Sequence, residues 1–177
     1  MNSVLNEKLI AASASGDVES IRASIKEGAD VNAPDTSSPY KFTPLILAVR
    51  AGFTDATKEL INSRAHINLP DSKGITPLIA ASWFGKIDAV RVLIDAGAKL
   101  DDVSIDGNTA LMEASVVGHK EAVSLLIKAG ADISMINKTG HSAFDMSKTK
   151  EIKMLINNKM NFFNHLRFML ARFMRKG

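Results

Sequence analysis

Residues 74–100 read "GITPLIAASWFGKIDAVRVLIDAGAKL", two short segments of helical character parted by a glycine. Thr76-Pro77 suits a helix start, because threonine can cap orphan backbone N–H groups and proline is tolerated at the first helical position. An alanine-rich segment follows, and Gly85 ends it. Beyond it, Ile87, Val90, Leu93 and Ile94 recur at helical spacing with charges opposite, until Gly97 stops the second segment. One such helix pair cannot bury its apolar face alone, so it has to stack on copies of itself.

The copies are present. "TPLI" begins at Thr43 and at Thr76, "TALM" at Thr109 and "SAFD" at Ser142, each 33 residues after the last. Gly52, Gly85 and Gly118 stand nine residues after the threonines, and Gly74, Gly107 and Gly140 stand two before Thr76, Thr109 and Ser142. Downstream come "LINSRAHIN", "LIDAGAKLD" and "LIKAGADIS", with an earlier "IKEGADVN" at residues 25–32. The stretches that join one unit to the next are polar and contain glycine, as turns or short hairpins do.

In its period, its Thr-Pro-Leu starts, Gly118-His119 and the "GAD" of residues 28–30 and 130–132, the chain resembles the ankyrin repeat. The resemblance covers roughly residues 3–157 and implies an all-α solenoid of stacked helix-turn-helix units with short hairpin turns. The units fall at about 3–35, 36–70, 71–103, 104–136 and 137–158, the first and last irregular, and residues 159–177 form a separate basic C-terminal helix. Where the family usually has a histidine after Thr-Pro-Leu, this chain has Ile46, Ile79, Met112 and Asp145, so that histidine's hydrogen bond near the hairpin is missing. Arg64 stands where the outer segments of other units end in glycine. The spacing from Gly28 to Arg64 is 36 residues, which predicts a longer finger in "APDTSSPYKF" carrying Tyr40. The last unit is about three residues short, as terminal capping repeats often are.

Trp83 and Phe84 are adjacent, and two large aromatics side by side cannot both face one helix-sized core. Ankyrin-like stacks bind proteins on a concave surface built from hairpin tips and the exposed edge of the first helix. By register, the residue pair before the glycine faces that surface, which places Arg50, Trp83, Phe84, Val116 and Val117 there. Tyr40, Phe42, Ser72, Lys73, Ile75, Asp106 and Asn108 supply its rim. The alternative is that Trp83 or Phe84 tucks under a neighbouring unit as core.

Chemistry is absent from the motifs. The chain has no cysteine, hence no disulfide framework and no thiolate nucleophile. Its four histidines, His66, His119, His141 and His165, form no HExxH and no i, i+4 pair, and neither a nucleophile elbow nor a phosphate-cradling loop occurs. Glu113 takes the place of Leu47 and Ala80 in other units, but no partner base, acid or metal ligand is recognisable near it, so a hydrogen-bonded structural role is expected. No catalytic residue, cofactor or metal is expected.

Charge divides the chain. Residues 1–151 carry 16 Lys+Arg against 19 Asp+Glu, while residues 152–177 carry six basic residues and no acidic one. The formal net charge of +3 therefore comes from the tail, and the mildly acidic body argues against nucleic acid. In "NFFNHLRFMLARFMRKG", Phe162, Phe163, Leu166, Met169, Leu170, Phe173 and Met174 fall within roughly 140° of a helical wheel, with Arg167, Arg172, Arg175 and Lys176 on the rest. Such a helix can cap the solenoid, lay its apolar face in a partner's groove, or adsorb to an anionic membrane surface. Deleting residues 159–177 separates these: lost thermal stability marks the cap, and lost liposome or partner binding marks the others.

The expected function is a non-catalytic protein-interaction scaffold, an adaptor, inhibitor or sequestering factor, and the expected state is a monomer. The competing class is a factor recruited to a membrane or partner through the tail. With neither a signal peptide nor an apolar run long enough to span a bilayer, the expected location is cytoplasmic, delivery into a host cell by a non-classical route staying open.

Overall fold

The computed structural model describes residues 3–161. Its helices are α1 (Ser3–Ser15), α2 (Val18–Lys26), α3 (Pro44–Ala51), α4 (Thr54–Asn62), α5 (Pro77–Trp83), α6 (Ile87–Asp95), α7 (Ala110–Val117), α8 (Lys120–Ala129) and α9 (Ala143–Met146). A further helix, α10, occupies 150–161. Among the described residues the sole β feature is an isolated bridge between Ile136 and Ser142. The fold is an all-α solenoid: α1, α3, α5, α7 and α9 pack in sequence as an inner layer, and α2, α4, α6 and α8 as an outer one.

Local chemistry sets the helix starts. The Thr43, Thr76 and Thr109 hydroxyls accept from the N–H of Ile46, Ile79 and Met112 at 3.2–3.3 Å, and Pro44 and Pro77 occupy the first turn. In the last unit Asp145 has a use of its own. Its carboxylate accepts from the Ser142 N–H at 2.8 Å while Ser142 Oγ accepts from the Asp145 N–H, a closed capping box. Ile46, Ile79 and Met112, the other replacements for the family's histidine, are fully buried, so those positions contribute apolar area to the core instead of a hydrogen bond.

The core is continuous from unit to unit. Leu45, Leu78 and Leu111 of the inner layer and Ile21, Leu60, Leu93 and Leu126 of the outer one are among its largest buried side chains. Polar contacts keep the same register. Asn32, Asn68 and Asp101 each accept, at 2.8–2.9 Å, a backbone N–H from the following unit, those of His66, Lys99 and Asp132 respectively, while Asn6 accepts that of Asp30 at 2.9 Å within the first unit. The hairpins also bond sideways, from the N–H of Ser72, Ile105 and Lys138 to the carbonyls of Tyr40, Lys73 and Asp106 at 2.9–3.0 Å. These bonds pin the hairpins without the family's histidine.

The finger is longer than its counterparts: Asp35 N–H bonds Phe42 O, whereas Asp71, Ser104 and Asn137 bond the carbonyls of Ile75, Asn108 and His141. At the other end, α10 crosses the boundary expected between residues 158 and 159. The reason is local, since "NNKM" at residues 157–160 holds neither the glycine nor the proline that would stop a helix. No helix among the described residues is long and apolar enough to cross a membrane.

Arg64 carries a conformational cost. It ends α4 with φ +67°, in the left-handed region that glycine fills at Gly28, Gly97 and Gly130. A side chain there costs roughly 1–2 kcal/mol, part of which a glycine returns through its freer unfolded chain. Arg64→Gly is therefore expected to raise stability by about 0.5–1 kcal/mol in urea titration. A loss would show that the Arg64 side chain contributes contacts worth more than the strain.

Candidate functional site

Helix α5 shows why the aromatic pair emerges. Sandwiched between α3 and α7, it buries every residue from Pro77 to Ser82. Only its C-terminal end clears its neighbours, and there Trp83 and Phe84 stand 46% and 43% exposed. Their rings stack, with centroids 6.2 Å apart. The carbonyl of Trp83 is held at 3.0 Å by His119 Nε2, whose ring lies against Gly85. This gives the "GH" histidine a position between units.

The groove between hairpins and inner helices has a volume of about 540 Å³. Tyr40, Phe42, Arg50, Lys73, Ile75, Trp83, Phe84 and Asp106, all anticipated from the sequence, line it together. Arg50 links the two aromatic pairs. Its guanidinium lies 4.1 Å from the centre of the Phe42 ring and 5.1 Å from that of Phe84, while Tyr40 stacks on Phe42 at 5.3 Å. The result is a ladder in the order Tyr40, Phe42, Arg50, Phe84, Trp83, in which cation–π attraction and ring stacking fix each rung.

Four anticipated residues stand apart from the groove; Ser72, one of them, donates its hydroxyl to the Pro39 carbonyl at 3.1 Å. Val116 is half-buried and Val117 is 44% exposed, and neither lines it. Asn108 is turned to another use. Its Nδ2 donates to Glu113 Oε1 at 2.8 Å and its Oδ1 accepts from Asn137 Nδ2 at 2.9 Å, while Asn137 Oδ1 accepts from the N–H groups of Thr139 and His141. Glu113 is thus a buried carboxylate within a polar chain. Conversely, Asp71, Ala80 and Ile105 line the groove and were not anticipated. Register could have found Ile105, which occupies the hairpin position of Ser72 and Lys138 as an exposed apolar residue.

Burial raises the Glu113 carboxyl above its ordinary value of 4.5, the Asn108 hydrogen bond opposes this, and the charge of Asp106 adds to it. The folded chain therefore holds this proton more tightly than the unfolded chain. By linkage, the associated stability is fully present below the ordinary value and is lost as pH rises through the raised one. Glu113→Gln keeps an acceptor for Asn108 and removes the charge. It is expected to raise the thermal midpoint at pH 7 and to flatten the decline in stability just above pH 4.5. Scanning calorimetry across that range checks it; an unchanged profile would mean that Glu113 is already neutralised or solvated.

Among the described residues no group of three or more His, Cys, Asp or Glu is arranged to hold a metal ion. The residues anticipated in the tail helix, Phe162, Phe163, Leu166, Arg167, Met169, Leu170, Arg172, Phe173 and Arg175, lie outside the described residues.

Models of the ankyrin repeat match residues 9–104, as three copies, and residues 106–138. The unit formed by α9 and α10 extends the stack beyond that span. No curated protein matches the chain.

Proposed function

Because the chain belongs to the ankyrin-repeat family, we propose that it is a non-catalytic scaffold that binds a partner protein in the concave groove, centred on Trp83 and Phe84. Ankyrin repeats generally mediate protein–protein interaction, and the mechanism here is occupancy: adaptor, inhibitor or sequestering activity with no bond made or broken. The observation that carries this reading is the aromatic ladder. Five side chains from two units converge on one groove, with large rings left nearly half in water.

Contiguous exposed apolar surface of this kind marks interaction sites, and aromatic anchors commonly dominate binding energy. Stacking matters as well as exposure. Rings already ordered by their neighbours lose little rotamer freedom when a partner covers them. The test is photo-crosslinking in cells from a photoreactive residue at position 83, against the same residue at position 91 on the outer layer. A discrete protein adduct from position 83 alone is expected. Adducts from position 91 alone, or equally from both, would defeat the reading.

A further inference from the structure

The guanidinium of Arg50 presents an unusual set of free donors. Phe42 and Phe84 cover it at 4.1 and 5.1 Å, which leaves the N–H groups along its edge to face the groove it lines. Among the described residues no ion pair or hydrogen bond uses those donors. Two carboxylates share the groove without meeting it. Asp71 accepts from the N–H groups of Lys73 and Ile75 at 2.8 and 2.9 Å and so closes its own hairpin, while Asp106 forms no ion pair among the described residues.

A guanidinium held between rings is ordered in advance, and the partner that fits its edge is a planar anion taking two parallel N–H···O bonds. A cationic ligand is disfavoured, because Arg50 already fills the gap between the rings and Lys73 stands in the same groove. The same groove is lined by Trp83 and Ile105, both exposed and apolar. The chain's own basic end cannot supply the anion from a side chain, since residues 152–177 contain no acidic residue. With Asp71 and Asp106 nearby, a singly charged carboxylate suits the groove better than a doubly charged phosphate.

We infer that Arg50 is a specificity-determining residue that binds a carboxylate: the groove takes a partner segment in which an Asp or Glu lies within a few residues of a large apolar side chain. This rests on the groove being the partner-binding face. The experiment is selection from a random peptide display library on the full chain, followed by titration of a selected synthetic peptide against Arg50→Met, Arg50→Lys and Trp83→Ala.

Selected peptides are expected to pair an acidic residue with a large apolar one. Arg50→Met should weaken binding by about 10- to 100-fold, as expected for hydrogen bonds between charged groups. Arg50→Lys should restore part of it, and amidation of the peptide's carboxylate should cost nothing further once Arg50 is gone. Peptides that need Trp83 but carry no acid would overturn this inference and leave the proposed function standing. Peptides indifferent to both Trp83→Ala and Arg50→Met, or no selected peptide at all, would remove both. A phosphoserine counterpart binding more tightly than the carboxylate, with the same dependence on Arg50, would overturn the choice of anion.

Discussion

Gly85→Ala is expected to destabilise the stack by about 2–4 kcal/mol. Two effects add. Gly85 has φ +61°, where a Cβ costs roughly 1–2 kcal/mol from backbone sterics alone. That Cβ would also stand 2.6–2.8 Å from three atoms of the His119 ring, which is held in place by its bond to the Trp83 carbonyl. Moving the ring relieves the overlap only by breaking that bond. Gly97→Ala is the internal control: its φ is +84° but nothing lies within 4 Å of the added carbon, so only the backbone cost of about 1–2 kcal/mol is expected.

The coupling can be measured directly. In the double variant Gly85→Ala/His119→Ala the overlap disappears, so its cost should fall below the sum of the two single costs by about 1 kcal/mol or more. Urea unfolding followed through the lone Trp83 reads all four proteins with one reporter. Strict additivity would show that the His119 ring moves freely and that the contact between units is loose.

The second large effect is on binding. Trp83→Ala is expected to weaken the partner captured at position 83 by about 30-fold or more, equivalent to roughly 2 kcal/mol, while leaving the thermal midpoint close to that of the parent. The asymmetry follows from exposure: a ring 46% in solvent still has nearly half of its surface to offer a partner, whereas a core ring has none. Phe84→Ala should be a mixed case, because it also removes one face of the Arg50 sandwich. Isothermal titration paired with thermal melts separates the two quantities. If Trp83→Ala lowered the midpoint and left binding intact, the aromatic pair would be a packing feature.

Much of the architecture could be read from residue order. A threonine that caps, a proline in the first turn and a left-handed glycine act within a few residues of themselves, and their recurrence every 33 residues announced the stack. The same register brought Trp83, Phe84 and Arg50 to one surface, because a repeated backbone repeats its outward positions. Adjacent aromatics after a buried alanine-rich helix could only partly be core.

What the tertiary structure alone decided are choices among partners far apart in the chain. Asn108 sits at a rim position, yet its side chain bonds Glu113 and Asn137; no local rule selects between solvent and a carboxylate brought near by folding. Arg50 reads as a flanking charge, and becomes the central rung of a ladder only because the long finger brings Phe42 to 4.1 Å of its guanidinium and the next unit brings Phe84 to 5.1 Å. Local hydrogen bonding and periodic burial are properties of the sequence, and they determined the solenoid. Side-chain pairing between units depends on distances that exist only once the units have stacked, and that pairing determined the shape and chemistry of the groove.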